Sequence, residues 1–121
     1  MKTQELIQIL LDRKLAQLGD SFVNLAYSLA LTRSLKQPVG TKVSDKVLAD
    51  AARKAGIRRL LPKRMSRGDV SNAVESLVAY AWLYHHFTID EVSAILEREI
   101  GSPSDAFATL SERILEKLTN E

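Results

Sequence analysis

Apolar residues recur at helical spacing along almost the whole chain. Leu6, Ile7, Leu10 and Leu11 predict a short amphipathic helix over 3–11. A second helix is expected over 13–35, stopped by the turn residues Pro38 and Gly40. Ser44 reads as the N-cap of a third, reaching Ala55, with Val47, Leu48, Ala51, Ala52 and Ala55 on one stripe and Gly56 as the stop. The stretch 57–67 is basic and interrupted by Pro62, so a short turn of helix followed by loop is expected. A long helix follows over 68–87. Thr88 to Glu91 reads as a capping box for the next, which stops at Gly101. Ser102 as N-cap, Pro103 at the first helical position and Asp105 in the first turn set a final helix running to about Leu118. With no strand alternation, internal repeat or low-complexity linker, the expectation is one compact all-α domain over 1–121, of about six to seven helices.

Two of these helices lack an evident polar face. Residues 15–32 contain Asp20 and no other charge, and residues 70–87 contain Glu75 and no other formal charge. A helix apolar all round is normally buried, and a carboxylate taken out of water costs several kcal/mol unless it is paired. Each acid therefore requires a partner. A divalent cation shared between Asp20 and Glu75 satisfies both, and an all-oxygen site suits Mg2+ or Mn2+. An arginine from a neighbouring element, or a narrow solvated strip on either helix, would also account for the acids. Gly19 beside Asp20 weakens its helix by roughly 1 kcal/mol relative to alanine, which a close backbone approach would explain.

The 121 residues suffice to bury a core without disulfide or metal support, and the 45% hydrophobic and 26% charged fractions are those of a globular protein. Cysteine is absent, which excludes a disulfide framework, a thiolate zinc site and a cysteine nucleophile. No window is apolar enough to span a bilayer, and the N-terminal run lacks a cleavage signature, so a cytoplasmic location without membrane contact is expected. The net charge of +2 conceals an uneven distribution. Arg53, Lys54, Arg58, Arg59, Lys63, Arg64 and Arg67 fall within fifteen residues free of acids, leaving ten basic residues against fifteen acids elsewhere. Such a segment is either a solvated face or a phosphate-binding surface.

Four ordered segments carry a resemblance to a known family. Lys14 to Ser21, KLAQLGDS, is similar to the Leu-Gly-Asp-Ser core of the ribonuclease III catalytic domain, and Leu48 to Arg53, LADAAR, to the family's middle helix. The basic stretch through Gly68 comes next, and Asn72 to Tyr80, NAVESLVAY, resembles the helix carrying the second acidic motif. The resemblance covers residues 13–85 and is nearest to the small archaeal-type and Mini-III-like branches, without a double-stranded-RNA-binding domain. It implies a homodimeric endoribonuclease that hydrolyses phosphodiester bonds of double-stranded or structured RNA with magnesium, leaving a 5′ phosphate and a 3′ hydroxyl. Asp20 and Glu75 fall on the family's metal-binding positions, the same two residues that the hydrophobic pattern isolates. The basic residues Lys54, Arg58, Arg59, Lys63, Arg64 and Arg67 are the expected RNA contacts, acting on phosphates and 2′-hydroxyls largely by shape.

The chain departs from the family pattern at three positions. Ala16 and Arg13 stand where acids are usual in the first helix, and Asn72 stands where the second motif has aspartate. Asn72 can still offer an amide oxygen, and Asp69, one turn earlier, is a possible substitute ligand. A degenerate RNA-binding homologue is the first alternative and a helical interaction module the second. Other residues have simpler readings. Asp45 suits the first turn of its helix, Asp50 a solvated surface, and His85 and His86 packing or surface roles, while Trp82, Tyr80 and Tyr84 suit core or dimer contacts. Asn24 and Ser28 continue the Asp20 face at a spacing of four, as donors orienting the carboxylate or as a polar strip.

Overall fold

The computed structural model describes residues 1–120. Six α-helices and one short 3-10 turn follow one another, with no strand among the described residues. They are α1 (Thr3–Leu10), α2 (Arg13–Leu35), α3 (Asp45–Lys54), the 3-10 turn Ile57–Leu60, α4 (Arg67–Leu83), α5 (Ile89–Arg98) and α6 (Pro103–Thr119). The all-α class and the helix number agree with the sequence pattern.

Helix α4 is the centre of the molecule and packs against α1, α2, α3 and α6. From Val70 to Ala79 every residue but Asn72 is buried, as expected of a helix with no polar face. Phe107, Leu110, Ile114 and Leu118 of α6 and Val92 and Leu96 of α5 complete the core around it. Helix α2 differs from its expectation. Ala16, Gly19, Phe22, Val23, Ala26 and Ala30 face the core, but Leu18 and Leu25 lie at the surface, as does Asp20. An apolar pattern all round the helix thus reflects two distinct apolar faces, one inward and one outward.

Gly19 is the closest point of the α2–α4 crossing. A Cβ placed there would lie 2.0 Å from the Glu75 carbonyl oxygen and 2.9 Å from the Glu75 Cβ. No side chain fits, so the two backbones meet only because position 19 is glycine.

A second device fixes the connection from α2 to α3. Thr32 Oγ1 accepts from the Val39 amide at 3.0 Å, Ser28 Oγ from the Thr41 amide at 2.9 Å and Asn24 Oδ1 from the Val43 amide at 2.7 Å. Four helical residues rise about 6.0 Å and two extended residues about 6.6 Å, so an extended segment can hook onto every fourth residue of a helix in register. The segment runs antiparallel to α2 and delivers the chain to Ser44, whose side chain caps α3 by accepting from the Val47 amide at 3.2 Å.

Several local signals act as read from the sequence. Thr88 and Glu91 form the reciprocal capping box, with bonds of 3.0 and 3.1 Å. Two others differ. Ser102 precedes α6 but does not cap it with its side chain; its hydroxyl donates to Asp105 Oδ2 at 2.9 Å. Helix α4 ends at Leu83 instead of Phe87 because His85 adopts a left-handed conformation (φ 65°). The His86 amide then reaches back to the Ala81 carbonyl (2.8 Å) and that of His85 to the Trp82 carbonyl (3.1 Å), the paired bonds of a Schellman stop without glycine. The two histidines therefore lie beyond the helix. Trp82 stacks on Phe22 with centroids 4.8 Å apart, tying α4 to α2.

The Gly19 contact makes a direct prediction. Gly19→Ala forces α2 and α4 apart and is expected to cost at least about 2 kcal/mol, read as a lowered urea midpoint. Gly40, whose added Cβ meets nothing within 4 Å, serves as the control, and Gly40→Ala should leave the midpoint within about 0.5 kcal/mol of wild type. Equal effects at the two positions would show that the crossing tolerates a side chain.

Candidate functional site

The α2–α4 crossing places the next residue of α2, Asp20, over the side chain of Glu75. Glu75 as a residue is only 5% exposed, and its carboxyl, hydrogen-bonded to Asp20, borders a cleft of about 500 Å³. Arg13, Ala16, Gln17 and Asp20 line the cleft from α2, Asp69, Asn72 and Glu75 from α4, and Asp45 from the first turn of α3. Spacings of three and four bring each helical set onto one face.

Burial pushes the Glu75 carboxyl up to about 8; its hydrogen bond to Asp20 and the charges of Asp20 and Asp45 act in the same direction. Two adjoining carboxyls with one in an apolar surround cannot both ionise at neutral pH without a cation. With its amide nitrogen turned toward Glu75, as its neighbours require, Asn72 donates to Glu75 Oε1 at 3.2 Å and to the Gly68 carbonyl at 3.3 Å. Asn24 accepts the Val43 amide through Oδ1, which directs its Nδ2 to Asp20 Oδ1 at 3.5 Å. Thus Asn24 both anchors the connecting segment and touches one oxygen of Asp20. Ser28 bonds only the segment, through Thr41.

The structure brings together Asp20, Glu75, Asn72 and Asp69, but the burial expected for Asp20 is corrected: its side chain faces the open cleft, and only Glu75 is buried. Asp45 is the residue that sequence reasoning missed. Its first-turn position sufficed as an explanation until the connecting segment, anchored on α2, brought α3's first turn to the cleft. Among the described residues, no three His, Cys, Asp or Glu side chains are grouped closely enough to hold one cation. The donors present nevertheless fit a hard divalent ion, because magnesium commonly uses one or two carboxylates and completes its shell with water and substrate phosphate.

The expected RNA-binding residues divide into two sets. Lys54 pairs with Asp105 at 2.7 Å and with Asp50 at 3.4 Å, and Arg53 with Asp50 at 2.6 Å, so Asp50 is an ion-pair centre and not simply a solvated acid. The Arg58 guanidinium donates to the Pro62 and Lys63 carbonyls at 2.9 and 2.7 Å and shapes the loop. Arg59, Lys63, Arg64 and Arg67 are exposed and form no salt bridge among the described residues.

A family model described as Ribonuclease III matches residues 13–120, nearly the whole chain and well past the four segments that carry the sequence resemblance. The chain belongs to the ribonuclease III family. Curated protein sequences return no significant match. Membership associates this fold with processing of double-stranded RNA, and the cleft between α2 and α4 of this ribonuclease III domain is lined by Asp20 and Glu75.

The raised Glu75 carboxyl fixes the sign of a pH effect. Between about 4.5 and about 8 the folded protein without metal retains a proton that the unfolded chain has released. Stability from this group is therefore complete below the lower value and is lost as pH rises through the upper one. Urea midpoints of the metal-free wild type are expected to fall across this window, and Glu75→Gln should flatten the decline. A wild-type profile as flat as the variant's would mean that Glu75 is not held protonated.

Proposed function

We propose that this protein is a metal-dependent endoribonuclease that hydrolyses phosphodiester bonds in double-stranded or structured RNA, with Asp20 and Glu75 as the metal-holding carboxylates. The observation that carries the reading is the hydrogen-bonded Asp20–Glu75 pair at the base of the cleft, formed by residues on the family's metal positions. When bound, Mg2+ or Mn2+ supplies neutralisation of charge developing on the phosphorus and acidifies attacking water. Asp20 and a deprotonated Glu75 would hold the ion, and Asn72, which hydrogen-bonds Glu75 Oε1, orients the Glu75 carboxyl. Arg59, Lys63, Arg64 and Arg67 supply phosphate contacts outside the cleft. A cytoplasmic setting remains part of the proposal.

Cleavage of a labelled RNA duplex in Mg2+ and in Mn2+ tests this directly. Wild type is expected to cut, and Asp20→Asn and Glu75→Gln to lose at least about 10- to 100-fold, the loss typical even of indirect metal partners, while circular dichroism shows them folded. The small number of acids in direct contact favours one second reading, a ribonuclease III fold that binds RNA without cutting it. Salt-sensitive binding by a wild type that never cuts would establish that reading instead.

A two-fold pairing of chains is proposed on the apolar outer face of α2. Leu18 and Leu25 are exposed at a spacing of seven, and Leu18, with Leu15, borders a groove shared with Leu83 and Tyr84. Leu25 is 59% exposed, so Leu25→Asp alters this face without disturbing the core. Sedimentation is expected to give a dimer for wild type and a monomer for the variant. A wild-type monomer at micromolar concentration overturns the pairing.

A further inference from the structure

Arg13 is placed where ordinary helix electrostatics disfavours it. It is the first residue of α2, followed by Lys14, and the first turn of this helix contains no acid. Cations at a helix N-terminus oppose the dipole. The nearest acid in sequence, Asp12, is engaged as the N-cap, accepting from the Lys14 and Leu15 amides at 2.9 and 3.0 Å. Arg13 is exposed and lines the same cleft as Asp20, Asp45, Asp69 and Glu75, yet it forms no salt bridge among the described residues.

The backbone beneath it is fixed. Ser76 on α4 donates its hydroxyl to the Asp12 carbonyl at 2.9 Å, pinning the α1–α2 junction to the central helix. Arg13, Ala16, Asp69 and Asn72 also border an adjoining cavity of about 220 Å³ that reaches Met65 and Ser76. Arg13, on a fixed backbone, thus borders both cavities, and small Ala16, which borders both as well, leaves room for a ligand. Guanidinium geometry matches two oxygens of a phosphate, with stronger hydrogen bonds than those between neutral partners.

We propose that Arg13 is a substrate-binding residue that holds a backbone phosphate of the RNA inside the cleft, next to the carboxylate pair. The proposal rests on the reading of this cleft as an RNA site. It gives an acid-lined cleft a permanent positive group for a polyanion to engage, whether or not a metal is bound. It also separates two kinds of phosphate contact, the exposed basic loop at 59–67 and one cation at the reaction centre.

The test uses a short labelled RNA duplex, with EDTA present so that binding is measured without cleavage, over a series of salt concentrations. Arg13→Gln is compared with wild type and with Arg113→Gln, which removes an equal charge from α6, where Arg113 borders a separate pocket with Phe87 and Glu91. Removing one phosphate contact lowers the slope of log affinity against log salt by roughly one, and affinity at moderate salt by about three- to tenfold. This is expected for Arg13→Gln and not for Arg113→Gln. Calorimetric titration with Mn2+ should show metal binding by Arg13→Gln as tight as by wild type or tighter. An unchanged RNA slope with tighter Mn2+ binding would overturn the proposal and make Arg13 a counter-charge for the acids. Equal losses in both arginine variants would also overturn it, by reducing the effect to net charge. Failure of the wild type itself to bind duplex RNA would overturn the RNA reading of the cleft together with this proposal.

Discussion

The contact between Gly19 and the backbone of Glu75 is the constraint on which the site depends. Helices commonly pack with axes 8–10 Å apart, held off by their side chains. A glycine opposite a carbonyl removes that spacer on one side, and Ala16 one turn before it adds little bulk. The chemical consequence follows from sequence adjacency. Glu75 is buried because the α2 backbone lies on it, and Asp20 reaches the Glu75 carboxyl because it is the next residue after the glycine. Burial, hydrogen bonding and like charge then act on one group in the same direction, and Glu75 retains its proton near neutral pH. Fold geometry and acid–base state have a single cause.

A second element organises the opposite wall. Asn24, Ser28 and Thr32 form a polar strip at intervals of four, and each receives one amide of the segment leading to α3. Three bonds to helix side chains give this extended segment partners for alternate amides without a second strand. Its register determines where α3 starts and therefore where Asp45 enters the cleft. Asn24 belongs to both systems, because accepting from Val43 leaves its amide nitrogen facing Asp20. Displacement of the segment would thus be felt at Asp20 as well as at Asp45.

Much of this was legible in the sequence, and the exceptions have identifiable physical causes. Helix existence followed from apolar periodicity, and the Ser44 and Thr88 caps from local chemistry. The energetic cost of lone acids in apolar helices required a partner for each, and a shared Asp20–Glu75 site was one of the arrangements it allowed. The exposure of Asp20 was left open as one of several readings, because periodicity counts apolar residues without distinguishing a face turned to the core from one turned outward. The end of α4 was hidden because a left-handed residue is usually glycine, and here His85 takes that role. Lys54 and Arg58 read as part of one basic run. Their engagement depends on Asp105, fifty-one residues away, and on the local course of the loop, neither of which composition encodes.

The distribution of charge bears on how a polyanion enters such a cleft. Asp20, Asp45, Asp69 and Glu75 line one small volume, and four full negative charges there would repel RNA strongly. Retention of a proton by Glu75 removes one of those charges where the dielectric is lowest. Arg13 lines the same cleft without a salt bridge among the described residues, so its guanidinium is available to a phosphate. The basic residues at 59, 63, 64 and 67 lie in the 3-10 turn, on the loop after it and at the first residue of α4, so their field can attract the backbone before it meets the acids. On the proposed chemistry, Asp20 and a deprotonated Glu75 would hold a divalent ion with two carboxylates instead of three or more. An ion held by few carboxylates would retain more of its positive charge for the substrate, so the neutral residues Ala16 and Asn72 would trade metal affinity for a stronger pull on each phosphate that reaches the ion. Metal and RNA would therefore bind with positive coupling, each supplying part of what the other lacks.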